Sequence, residues 1–207
     1  MGRTRDVSKI LTSNTSILSL ASASSIYQTI AKTGLVEITP PTITATGGSG
    51  SISATGAVSF TSASAISLND VFSSTYDNYK IVYAFDAGST TINTFRLRVS
   101  STDASGADYN HSSITWQTTQ NPANNGGANT ATSAKFNEQH ATSGSRGAWE
   151  IQSPFLAKPT MGTRSGVYVT LADFGMFTHN LSTSYTGFTI TFGAVTTGTI
   201  SIYGYNK

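Results

Sequence analysis

The sequence contains no cysteine in its 207 residues. This absence excludes disulfide bridges, thiolate metal sites and a cysteine nucleophile. Charged residues make up only 11% of the chain and the formal net charge is +2, an excess too small to indicate a nucleic-acid partner. No apolar run approaches the ~20 residues that a membrane-spanning helix needs, so we expect no membrane insertion.

Serine and threonine are abundant, at roughly 30% of the chain, where an average soluble domain has far less. Hydrophobic residues still make up 38%, which separates the chain from highly charged disordered sequences. Apolar and polar residues alternate over many short segments, which is the pattern of half-buried strands. The clearest of these segments are 79–85, 95–99, 114–116, 148–153, 167–171, 188–192 and 200–205.

Turn residues separate these segments, and no convincing helix lies between them. The crossover helices of a parallel α/β fold are therefore not available. We predict an all-β fold, an antiparallel jelly-roll-like β-sandwich, preceded by an extended or short-helical N-terminal arm.

The composition changes along the chain and suggests three regions. Residues 1–40 form the predicted arm, which is basic at its start and carries scattered apolar residues. Residues 41–65 are a low-complexity connector with short strands, and residues 66–207 are the β-sandwich domain. The break is Pro40-Pro41, because proline interrupts helices and strands. We expect the arm to dock on a partner through Arg3, Arg5, Ile10, Leu11, Ile17, Leu18 and Leu20.

Residues 38–69 contain no charged side chain. Burying charge at a subunit contact is costly, so this stretch is the expected contact of a homotrimer. Arg96 and Arg98 share a polar strand face, where they either pair with acids of a neighbouring strand or line a subunit contact.

No catalytic constellation is recognisable, and we predict that the protein is not an enzyme. The chain has no nucleophile elbow of the G-x-S-x-G type. Glu150 lies in a strand and has no obvious second carboxylate, which glycoside hydrolysis would require. His111, His140 and His179 form no ligand pattern, although a trimer axis can gather three copies of one histidine. We predict no metal site and no cofactor.

Aromatic and amide side chains supply the plausible binding chemistry. Trp116 and Trp149 are candidates for stacking on sugar rings, with burial in the core as the alternative. Gln120–Thr130 is predicted to be a loop, because it combines proline, glycine and four asparagines. Its amides can donate to and accept from sugar hydroxyls. The candidate binding residues are Asn121, Asn124, Asn125, Asn129, Trp116 and Trp149.

Several segments resemble a known family. The opening MGRTRDVSKILTSNTSILSL is similar to the N-termini of virion appendage proteins of tailed bacteriophages, especially marine podovirus-like phages. The segments FSSTYDNYKI (72–81), FRLR (95–98), GADY (106–109) and GTISIYGY (198–205) resemble the C-terminal β-domain of phage fibre and other virion proteins. The chain lacks room for a long shaft, which favours a short fibre, knob or capsid-surface protein.

The resemblance implies a structural role on the virion surface. In such proteins the arm docks on the particle and the β-domain projects outward, commonly as a homotrimer. The expected partners are other copies of the chain and other virion proteins of the tail, vertex or capsid, with a host-surface glycan as a further candidate. The rival hypothesis is a carbohydrate-binding, or less plausibly carbohydrate-cleaving, host-recognition module.

Overall fold

Alternating sequence segments form strands throughout the computed structural model. It describes residues 34–86, 88–117, 120–141, 143–168 and 171–206. Within these ranges fourteen strands pair in antiparallel fashion, and no residue lies in a helix. The predicted fold class, an antiparallel all-β sandwich, is confirmed. The predicted arm residues Arg3, Arg5, Ile10, Leu11, Ile17, Leu18 and Leu20 lie outside the described residues.

The strands follow one another with short connections. The first seven are β1 (Leu35–Ile38), β2 (Thr42–Thr46), β3 (Ser49–Ile52), β4 (Val58–Asn69), β5 (Asn78–Phe85), β6 (Thr91–Val99) and β7 (Thr102–Asp103). The others are β8 (Tyr109–Gln117), β9 (Gln120–Ala131), β10 (Ala134–Gln139), β11 (Ser145–Gln152), β12 (Thr160–Tyr168), β13 (Leu171–His179) and β14 (Gly187–Tyr205).

Strands β4 and β14 run through both layers of the sandwich. Near its start β14 lies between β6 and β4, and near its end it lies beside β5 and then β1. The register between β4 and β14 shifts after Thr191, and Ser62 has a positive φ of 51° at the same place. Such a bulge bends a strand pair and increases its twist. One layer therefore has the order β10-β6-β14-β4-β2, and the other has the order β9-β8-β13-β12-β11-β5-β14.

Stacked aromatic rings fill the space between the layers. The ring of Trp149 on β11 lies 5.1 Å from that of Phe136 and 5.2 Å from that of Phe95, which come from the opposite layer. The Trp149 indole N–H donates to the Phe136 carbonyl oxygen at 2.8 Å. Burying a tryptophan requires such a partner for its N–H group. Trp149 is 1% exposed, so its predicted role in sugar binding is wrong and the alternative, burial in the core, holds.

The prediction that Gln120–Thr130 is a loop is wrong, because in the structure this segment is part of strand β9. It pairs with β8 along most of its length, and two register shifts absorb its irregular sequence. A Cβ atom at Gly127 would lie 2.9 Å from the His111 carbonyl oxygen, so glycine allows the backbones to approach. Pairing with a neighbouring strand outweighs local turn propensity here.

Residues 35–65 were expected to form the end of the arm (to residue 40) and a connector (41–65), but in the structure they form strands of the sandwich. They belong to the compact unit Leu35–Tyr205, and β4 crosses the expected boundary at residue 66. Ile43, Ile52 and other apolar residues of this stretch pack on or within the core. The stretch therefore belongs to the sandwich and contributes apolar side chains to its core.

The two tryptophans give a matched test of this core. Trp149→Ala removes a buried ring and its hydrogen bond, and we expect it to lower the free energy of unfolding by about 3–5 kcal/mol. Trp116 is 58% exposed. We therefore expect Trp116→Ala to cost less than about 0.5 kcal/mol. Urea titrations followed by circular dichroism measure both values, and equal losses would contradict the assigned burial.

Candidate binding face

The solvent side of β11, β12, β13 and β8, here called the outer face, carries apolar side chains. Burial alternates strictly along β12, so that Met161, Thr163, Ser165 and Val167 point to solvent. The predicted strand 167–171 was wrong, because Val167 belongs to β12 whereas Leu171 begins β13. Val167 is 59% exposed, although alternation had suggested a buried position.

Strand pairing brings the outward residues into rows across the sheet. Phe174 on β13 lies opposite Ser165 on one side and opposite Ile114 on the other. In the next row Ala172 pairs with Trp116. Directly opposite residues in an antiparallel pair have Cβ atoms about 5 Å apart, so these side chains are neighbours. The most exposed apolar residues of the face are Met176 (60%), Val167 (59%), Trp116 (58%), Phe174 (53%), Ile114 (49%) and Met161 (48%).

A groove of about 840 Å³ crosses the outer face from β5 to β9. Its lining includes the apolar side chains of Phe174, Met176 and Ile114 and the small residues Ser165 and Gly127. The volume falls within the ~300–1,000 Å³ typical of ligand clefts. We call this feature the outer groove.

An ion pair lines the end of the groove nearest β5. Lys80 Nζ lies 2.9 Å from Glu150 Oε1, and both side chains are about one-third exposed. The Tyr205 hydroxyl donates to the second oxygen of Glu150. Burial and this bond to a carboxylate raise the pKa of Tyr205 to about 12. Glu150 is thus held by a cation and a phenol, which differs from the facing carboxylates of a glycosidase.

A second ion pair lies buried on the inward side of the same strands. Arg164 Nη2 contacts Asp173 Oδ1 at 2.9 Å, and each side chain is 3% exposed. Arg164 also donates to the Lys135 carbonyl oxygen at 3.2 Å. A Cβ atom at Gly175 would lie 2.5 Å from Arg164 Nε, so glycine leaves room for the guanidinium group. Burial raises the pKa of Asp173 and lowers that of Arg164, while the contact between them opposes both shifts.

The histidines lie in separate surroundings. His179 is completely buried, with the Tyr185 hydroxyl 3.3 Å from its Nδ1, and burial lowers its pKa. Because His179 is buried within one chain, it is not available to bind a metal together with its copies on a trimer axis, so His179 is removed from the three histidines considered for that site. Burial and the nearby Arg164 and Lys135 also lower the pKa of His111. Within the described ranges no three histidine or acidic side chains come together as a metal site.

The other predicted site residues have mixed outcomes. Trp116 lies on the outer face, as a binding residue requires. Asn129 is exposed on β9. Asn121, Asn124 and Asn125 belong to the backbone of β9, and their side chains lie outside the described part of the chain. Of the two arginines, Arg98 pairs with Asp103 at 2.8 Å, as one of the alternatives predicted.

Sequence reasoning missed Phe174 and Met176. Alternation alone assigns the apolar side of a strand to the core. In the sequence, Asp173 and Gly175 alternate with Phe174 and Met176 along the same strand. This pattern does not show which of the two sides faces the core. The buried contact of Asp173 with Arg164 shows that the side with Asp173 and Gly175 points inward.

Comparisons with known proteins add little. No protein-family model matches the sequence, and no curated protein matches it. Among solved structures, the chain is similar to a seed lectin of Lotus tetragonolobus, with 8% identity, coverage of 82% of this chain and 97% of the lectin chain, and a TM-score of 0.22. A likeness this low carries no argument. The part of the chain that the structure describes has no helix suited to crossing a membrane.

The buried ion pair can be tested by removing one charge. Asp173→Asn leaves a buried guanidinium group without its counter-ion, and we expect the free energy of unfolding to fall by about 3–5 kcal/mol. Glu150→Gln breaks the more exposed pair with Lys80 and should cost less than about 1 kcal/mol. Urea titrations compare the two variants, and a small loss for Asp173→Asn would contradict the account of the pair.

Stability should also depend on pH through His179. Because its folded-state pKa lies below the unfolded value of about 6.5, the unfolded chain binds a proton first as the pH falls. Stability therefore declines below about pH 6.5 with a slope of up to ~1.4 kcal/mol per pH unit for this group, and the loss is complete below the folded pKa. His179→Gln should flatten the curve between pH 7 and pH 5, measured by urea titration. An Ile92→Ala control should keep the wild-type slope, and parallel curves for all three proteins would refute the prediction.

Proposed function

We propose that this protein is a structural protein of a bacteriophage virion. Residues 1–34 dock on the particle, and the β-sandwich projects outward as a short fibre or surface appendage that contacts the host. The observation that carries the proposal is the start of the compact unit at Leu35, directly after the stretch with basic and apolar residues. This division of the chain suits an anchor followed by an independently folded body.

The segments that resemble phage virion proteins support the proposal by their positions. Residues 72–81 lead into β5, residues 95–98 belong to β6, and residues 198–205 end β14. These strands are neighbours of one another around β14. The fourth segment, residues 106–109, lies in the connection that leads into β8. Three of the four segments therefore lie at the centre of the sandwich.

Self-association as a homotrimer on the virion surface is part of the same proposal. The stretch 38–69 is a weaker candidate for the contact than its composition suggested. Its larger apolar side chains, such as Ile66 and Leu68, are in the core.

Replacement of the arm tests the docking role. A chain in which residues 1–34 are exchanged for a Gly-Ser segment of equal length should keep the thermal midpoint of the full chain. We expect its incorporation into phage particles, measured by quantitative mass spectrometry of purified virions, to fall at least tenfold. A full-length Ile92→Ala chain serves as the control and should incorporate normally. Equal incorporation of the exchanged chain would show that docking does not depend on residues 1–34.

A further inference from the structure

The outer groove has the mixed polarity of a saccharide site. Its floor presents the exposed ring of Phe174 between Ser165 and Ile114, and the ring of Trp116 lies on the same face. Aromatic rings with one open face offer large, rigid contact area. A pyranose ring has an apolar face of C–H groups that packs on such rings, while its hydroxyl groups point to the sides.

Polar groups lie where the hydroxyl groups of a bound sugar would point. Ser112, Thr163 and Ser165 line the groove, and each hydroxyl can both donate and accept. The ion pair of Lys80 with Glu150 stands at the end nearest β5.

Charge distinguishes the class of ligand. The charged residues that line the groove are Lys80, Glu150 and Arg164. Each belongs to an ion pair, Lys80 with Glu150 and Arg164 with Asp173. Arg146 is exposed on β11 opposite Val167 but lies outside the lining. A strongly anionic ligand would find no unpaired cation in the lining, whereas a neutral ligand requires none.

The size of the groove suits a small ligand. A volume of about 840 Å³ lies within the range typical of ligand clefts and accommodates a few sugar rings.

We propose that the outer groove binds a neutral oligosaccharide of the host surface, with Phe174 as the stacking residue and Trp116 beside the groove, one row away on the same face. This inference rests on the host contact in the proposed function and moves it from the loop expected at Gln120–Thr130 to the sheet face beside that strand. Hydroxyl groups of Ser112, Thr163 and Ser165 hold the sugar against the Phe174 ring, and Glu150 accepts from hydroxyl groups at the end of the groove.

The test uses the full-length protein and an array of neutral and acidic bacterial oligosaccharides. We expect binding to neutral members, followed by titration of the strongest binder with tryptophan fluorescence. The chain has two tryptophans, and Trp149 is 1% exposed whereas Trp116 is 58% exposed. A fluorescence change on binding therefore reports Trp116.

Variants assign the site. Phe174→Ala should weaken binding at least tenfold, and Trp116→Ala should abolish the fluorescence change. Ser165→Trp fills the groove without removing either ring and should block binding. The matched control Ile92→Ala removes a side chain that is 52% exposed on β6, and its affinity should stay within twofold of wild type. Circular dichroism and thermal midpoints check folding, and any one groove variant that folds decides the question.

Three outcomes would overturn the proposal. The first is a wild-type protein that binds no neutral oligosaccharide of the array. The second is wild-type affinity in a folded Phe174→Ala or Ser165→Trp protein. The third is a sedimentation result in which Phe174→Ala dissociates an oligomer, since the groove would then be a contact between copies. None of these results depends on incorporation into virions, so the docking proposal stands or falls separately.

Discussion

The buried ion pair between Arg164 and Asp173 decides which way two central strands face. Isolated charges are too costly to bury, so both groups must share one inward site. Gly175 leaves the space that the guanidinium group occupies. Because side chains alternate, this inward polar pair directs Phe174 and Met176 of β13 and Met161 and Val167 of β12 to the solvent. The exposed outer face and its groove follow from that arrangement.

The second layer and the aromatic core pack against the inward side of the strands that carry the outer face. Strands β4 and β14 continue from one layer into the other, and their bulge at Ser62 and Thr191 supplies the bend. Stacked rings of Trp149, Phe136 and Phe95 hold the layers together on the inward side. The apolar core therefore does not need the apolar residues of β13 that point outward, and these remain available for binding.

Local alternation predicted the fold class because most strands follow one rule. Tyr79, Ile81, Tyr83 and Phe85 alternate with less buried residues and do form the inward side of β5. The rule failed at Val167 and Phe174, where a long-range ion pair reverses the assignment of the two faces. It failed again at Gln120–Thr130, because pairing with β8 orders a sequence whose own preference is a turn. Trp116 was a candidate because of its residue type alone. The residues beside it on the outer face are set by the register of strand pairing, which a local sequence pattern does not reveal.

The account makes one central claim, that β12 and β13 turn apolar side chains, Phe174 among them, outward to form a saccharide site. A crystal structure of the full-length protein soaked with the strongest oligosaccharide from the array tests this claim most directly. We predict a sugar ring packed on Phe174 within the outer groove, with hydroxyl groups bonded to Ser165 or Thr163. A sugar bound elsewhere, or a groove filled by a neighbouring copy of the chain, would contradict it.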